Sequence, residues 1–113
     1  MSISVPLPSF ADIENEVDAL ERELLELSFT HHPNIRRLID LQNRTAATRQ
    51  ELATLSPSDL DPATLYDINF KIQELALNLV YYLAKATGRD PHRAKAALRE
   101  FYAEADKEIE VRD

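Results

Sequence analysis

Apolar residues recur at helical spacing along most of this chain, in four stretches separated by short joints. The pattern predicts helices over about 10–28, 35–55, 62–87 and 91–110. A residue that favours the N-cap position precedes each stretch: Ser9, Asn34, Asp61 and Asp90. Because the joints are short, consecutive helices are expected to run antiparallel. The predicted fold is therefore all-α, a four-helix up-down bundle.

The ends of the chain divide it into an arm and one domain. Pro6 and Pro8 each bias the preceding residue away from helix, so residues 1–8 are expected to form an extended N-terminal arm. Residues 9–113 then form a single helical domain. Gly88 is the only glycine in the chain, and its position after the third helix is typical of a left-handed C-cap.

The first predicted helix has a regular seven-residue pattern with acidic flanks. Its seam positions a and d hold Phe10, Ile13, Val17, Leu20, Leu24 and Leu27. Glu14 and Glu21 occupy e positions, whereas Glu16 and Glu23 occupy g positions. Two copies packed in parallel would repel along both flanks. The helix therefore requires a basic neighbour.

Two interpretations of the acidic flanks are open. The basic residues of the second or fourth helix could pair with them inside the fold. Alternatively, they form a face that binds a basic external partner, with the residues Glu14, Glu16, Asp18, Glu21 and Glu23.

The third predicted helix is apolar on two faces, whereas a surface helix of a bundle needs only one. Such a helix is either packed on both sides within the fold or shared with another chain. Its second face is rich in aromatic residues, which are enriched in interface cores. We expect a protein interface there, formed by Tyr66, Phe70, Leu77 and Tyr81.

Composition excludes several classes of function. The 113 residues contain no Cys and one Gly, which excludes disulfides, cysteine-ligated metals and glycine-rich phosphate loops. The net charge of −7 argues against direct binding to nucleic acid or to a membrane surface. The first residues lack the features of a signal peptide, so the cytoplasm is the expected location.

Candidate chemistry is sparse. None of the three histidines stands in a helical metal-binding spacing, and no serine or threonine has a base at a recognisable spacing. His92 lies beside Arg89 and Arg93, a basic cluster that could serve a small helical ribonuclease. No cofactor, metal or small-molecule substrate is otherwise indicated.

The sequence thus favours a non-enzymatic protein-interaction module, such as an adaptor, an accessory subunit or an inhibitor of the immunity type. Its partner would be a second copy in a homodimer or a different protein. An acidic mimic that blocks a nucleic-acid-binding protein is the alternative, and the ribonuclease is a further one.

Overall fold

The computed structural model describes residues 9–30, 34–55 and 60–111, with side chains described up to residue 105. Four helices fill these ranges: α1 (Phe10–Ser28), α2 (Ile35–Thr54), α3 (Pro62–Ala86) and α4 (Pro91–Val111). No strand occurs in the described ranges, so the all-α prediction is confirmed there. The predicted extended arm, residues 1–8, lies outside them.

Local capping explains where the helices begin. The Ser9 hydroxyl accepts a hydrogen bond from the Asp12 backbone N–H, and the Asp12 carboxylate accepts one from the Ser9 N–H. This reciprocal pair is a capping box. Asn34 and Asp90 cap α2 and α4 in one direction, each accepting a hydrogen bond from the backbone N–H two residues later. Asp61 makes no such cap bond, although Pro62 still occupies the first turn of α3.

The joint between α3 and α4 depends on Gly88. This residue has φ of 77°, in the left-handed region that side chains disfavour. The Arg89 N–H donates to the Ala84 carbonyl over 2.8 Å, which closes the end of α3. The predicted C-cap is thereby confirmed.

Helices α1, α2 and α3 share one hydrophobic core. Its buried members are Ile13, Val17, Leu20, Leu24 and Leu27 from α1, Leu38, Leu41 and Leu52 from α2, and Ile68, Ile72, Leu75 and Leu79 from α3. Five of the six seam positions predicted for α1 are buried in it, and Phe10 packs against its edge. None of the core members comes from the described part of α4.

Helix α4 packs on the opposite side of α3. Leu77 and Ala84 of α3 and Tyr102 of α4 are buried outside the shared core. The Tyr81 and His92 rings meet at 5.3 Å near the joint, and one turn further on Lys95 Nζ donates to Asn78 Oδ1 over 3.1 Å. These contacts place the first turns of α4 alongside the C-terminal half of α3. Helix α3 is thus packed on both sides, which accounts for the second apolar face along its C-terminal half.

Candidate functional site

One acidic flank of α1 faces α2 and is neutralised there. Arg44 donates from Nε and Nη2 to Glu16 Oε1 over 3.0 and 2.8 Å, and from Nη1 to Glu23 Oε2 over 2.7 Å. Arg37 Nη2 lies 3.8 Å from the other carboxylate oxygen of Glu23, Oε1. Basic residues of the second helix therefore do pair internally with the g positions of the first.

The electrostatics of this cluster favour a charged Arg44. The hydrogen bond to Glu16 raises the pKa of Arg44; partial burial opposes the rise, and the hydrogen bond to Glu23 adds to it. Arginine is already protonated at any physiological pH, so the Arg44 guanidinium keeps its charge between α1 and α2.

The other acidic flank of α1 faces outward, beside α3. Glu14, Asp18 and Glu21 are exposed, and none forms an ion pair with a residue that the structure describes. Of the five residues predicted for the acidic face, these three remain accessible. The other two, Glu16 and Glu23, form ion pairs with Arg44 of α2. The structure thus divides the predicted face into a paired and an unpaired flank.

A groove runs between α1 and α3 along the unpaired flank. We call it the α1–α3 groove. It contains two open cavities, of about 340 and 260 Å³. The larger is lined by Glu21, Leu24, Leu25, Ser28, Phe70, Lys71, Glu74, Leu75, Asn78 and Tyr82, and the smaller by Phe10, Glu14, Thr64, Asp67, Ile68, Phe70 and Lys71.

Large apolar side chains remain exposed along this groove. Leu25 of α1 is 58% exposed and Phe70 of α3 is 51% exposed, and both line the larger cavity. Tyr66, one turn before Phe70, is 70% exposed. The Tyr66 and Phe70 rings stack with centroids 6.5 Å apart and an angle of 18° between the planes. Both rings are therefore exposed together at the N-terminal half of α3.

The four residues predicted for the aromatic interface do not form one surface. Leu77 is only 1% exposed, and Tyr81 packs its ring against Tyr82 and His92. Helix α4 lies over these two residues but leaves Tyr66 and Phe70 exposed. The sequence pattern could not show this division, because all four residues repeat on the same face of α3.

Sequence reasoning overlooked Leu25. It is an apolar residue on the solvent side of the seven-residue pattern, between Leu24 and Glu26. An isolated exposed leucine is common, so its position alone carries little information. Its place one turn beyond Glu21 is visible in the sequence, but only the structure shows that this flank has no basic partner among the described residues.

The exposed Arg49 side chain of α2 contacts α4. Its guanidinium carbon lies 4.6 Å from the centre of the Tyr102 ring, a cation–π contact between α2 and α4. The contact borders a cavity of about 310 Å³ between α2, α3 and α4.

The basic cluster Arg89, His92 and Arg93 lies at the start of α4, next to the capping residue Asp90. Asp90 Oδ1 accepts hydrogen bonds from the backbone N–H groups of His92 and Arg93, which caps the helix. His92, Arg89 and Arg93 are exposed, and none of the three forms an ion pair with a described carboxylate. The described residues also contain no group of three metal-ligating side chains.

Comparisons with protein-family models, with curated proteins and with solved structures find no match to this chain. Within its described part, no helix has the length and apolar character needed to cross a membrane.

Proposed function

We propose that this protein is a non-enzymatic protein-interaction module that binds its partner in the α1–α3 groove. The observation that carries the proposal is the exposure of Leu25 and Phe70 on opposite walls of the same cavity. An apolar surface rimmed by polar residues is typical of interaction sites. Tyr66 extends this surface, and aromatic residues contribute strongly to binding energy when they become buried.

The packing of α4 supports the choice of this surface. The second apolar face of α3 is covered by α4 along Leu77 and Tyr81, and there it stabilises the chain itself. Only the N-terminal part, Tyr66 and Phe70, is left for a partner. The proposal assumes that consecutive helices run antiparallel, as the short joints between them predict.

The other functions are less well supported. A nucleic-acid mimic would need a continuous acidic face, but Arg44 already neutralises Glu16 and Glu23. A ribonuclease built on His92 would need a second acid or base at hydrogen-bond distance from a common substrate atom. The His92 ring contacts the Tyr81 ring, and the nearby Asp90 carboxylate is already engaged with backbone N–H groups of α4 as its cap.

Site-specific photo-cross-linking tests the proposed surface. Phe70 is replaced by benzoylphenylalanine in the cells that make the protein, and adducts are identified by mass spectrometry. Phe101 provides the matched control position, because it is another phenylalanine, 65% exposed, on α4. We expect a defined protein adduct from position 70 and none from position 101. Equal labelling at both positions, or none at position 70, would contradict the proposal.

A further inference from the structure

The charges along the α1–α3 groove are unbalanced. Glu21 and Glu74 line its larger cavity, and Glu14 and Asp67 line its smaller one. Lys71, which borders both cavities, is the only basic residue among the residues that line them. Four carboxylates therefore face one ammonium group.

These carboxylates have no partners among the described residues. None of the four forms an ion pair with a described side chain, and Lys71 forms none either. The opposite flank of α1 differs sharply, since Glu16 and Glu23 are held there by Arg44. The fold thus neutralises the acidic residues that face α2 and leaves those beside α3 unpaired.

The shape of the groove fits a helix. Phe10 and Glu14 of α1 lie with Thr64 and Ile68 of α3, whereas Leu24 and Ser28 lie with Leu75 and Tyr82. The two walls of the groove, α1 and α3, therefore run parallel to each other from N- to C-terminus. From Thr64 to Tyr82, α3 extends about 27 Å, the length of roughly 18 helical residues. A peptide strand would need a sheet edge to pair with, and the described residues contain no strand.

We propose that the partner segment is a basic amphipathic helix that lies along the α1–α3 groove. This inference rests on the proposed function and specifies the partner's chemistry. Apolar residues repeating at i, i+3, i+4 and i+7 contact Leu25 and Phe70. Lysine or arginine residues on both flanks of that stripe lie opposite Glu14 and Glu21 on one wall and Asp67 and Glu74 on the other.

Charge complementarity excludes other occupants of the same shape. A nucleic acid or an acidic helix would bring negative charge to four unpaired carboxylates. A second copy of α1 would do the same, since its flanks are acidic. A neutral apolar helix would leave the rim carboxylates opposite groups that cannot pair with them. The basic helix satisfies both the apolar floor and the acidic rim.

A peptide titration tests this inference with the full chain. The probe is an 18-residue, fluorescein-labelled helical peptide with leucines on one stripe and lysines on both flanks. One control peptide has the same leucines with glutamate in place of lysine, and a second has the basic composition in scrambled order. Fluorescence anisotropy gives the affinity of each at low and high salt. We expect micromolar binding of the basic helix alone, weakening several-fold between 50 and 500 mM NaCl.

Variants of the chain assign the site. We expect Glu21→Gln and Glu74→Gln each to weaken binding about two- to fivefold, since exposed ion pairs have modest energies. Phe70→Ser should weaken it more than tenfold. The matched controls are Glu100→Gln and Phe101→Ser on α4, which should leave the affinity unchanged. Circular dichroism confirms that each variant keeps its helices.

The outcomes separate this inference from the proposed function. Equal, Phe70-dependent binding of the basic and acidic helices would overturn the inference but leave the groove as a binding surface. If Phe70→Ser leaves the peptide affinity unchanged, both the inference and the proposed function are overturned. Failure of every peptide to bind below 1 mM would overturn the inference, and the cross-link at position 70 would still decide the proposed function. A dimer of the chain that Glu21→Gln strengthens would also overturn it, because the occupant would be a second copy.

Discussion

Arg44 of α2 holds Glu16 of α1 through two hydrogen bonds to one carboxylate oxygen, of 3.0 Å from Nε and 2.8 Å from Nη2. Its third nitrogen holds Glu23, two turns further along α1. One side chain therefore fixes α1 against α2 at two points. Because Arg44 pairs with both of these acidic residues, a partner protein can reach unpaired carboxylates of α1 only on the flank beside α3.

Removal of this side chain should destabilise the fold. We expect Arg44→Ala to lower the free energy of unfolding by about 1–2 kcal/mol, since charged hydrogen bonds are lost but the cluster is partly solvent-exposed. Urea denaturation provides the measurement. Arg36→Ala is the control, because Arg36 lies on the same helix, is exposed, and its side chain makes no ion pair with a described residue. Equal stability of the two variants would refute the role given to Arg44.

Leu77 should behave as a core residue. It is buried between α3 and α4, so Leu77→Ala should cost about 2–4 kcal/mol of unfolding free energy through lost contacts and a residual cavity. Leu25→Ala is the matched control and should change stability by less than about 0.5 kcal/mol, because Leu25 is exposed. If Leu77→Ala leaves thermal unfolding unchanged, α4 does not pack on this face in solution.

Gly88 should tolerate side chains poorly for conformational reasons alone. An added Cβ would meet no atom within 4 Å, so the cost comes from the left-handed φ of 77°. We expect Gly88→Ala to lower the unfolding free energy by about 1 kcal/mol. Gly88→Asn should cost less, because asparagine adopts this conformation more readily. An alanine variant as stable as the parent would show that the joint adopts another conformation.

Helix α4 should open more readily than the other three. Its described residues contribute nothing to the core shared by α1, α2 and α3, and it packs mainly on α3. Local opening is easier where fewer buried apolar contacts are lost. Hydrogen exchange monitored by NMR should therefore give lower protection for the amides of Leu98 and Tyr102 than for those of Leu20 and Ile72. Uniform protection would indicate that α4 unfolds only with the whole chain.

Much of the fold could be predicted from the spacing of apolar residues and the capping residues. Helix α1 begins and ends as expected, and α2 ends one residue early, at Thr54. Such accuracy follows from local physics: the caps at Ser9, Asn34 and Asp90 and the glycine at position 88 act on their immediate neighbours. The side of α3 on which α4 packs is not local information, and the sequence left it open.

The same limit applies to the candidate site. Glu14 and Glu16 have the same chemistry and lie two residues apart, yet one lines an open groove and the other is held by Arg44. Likewise, Phe70 and Leu77 repeat on one face of α3 with opposite exposure. Their difference depends on which helix covers each position. Periodicity specifies a face of a helix, whereas tertiary packing determines which part of that face stays accessible.

The most direct test of the binding surface is the affinity of aromatic variants for the protein that cross-links at position 70. We expect the double substitution Tyr66→Ser with Phe70→Ser to raise the Kd more than tenfold, with helicity retained because both side chains are exposed. Phe101→Ser should leave the Kd unchanged. If the double variant binds as tightly as the parent chain, the α1–α3 groove is not the binding surface.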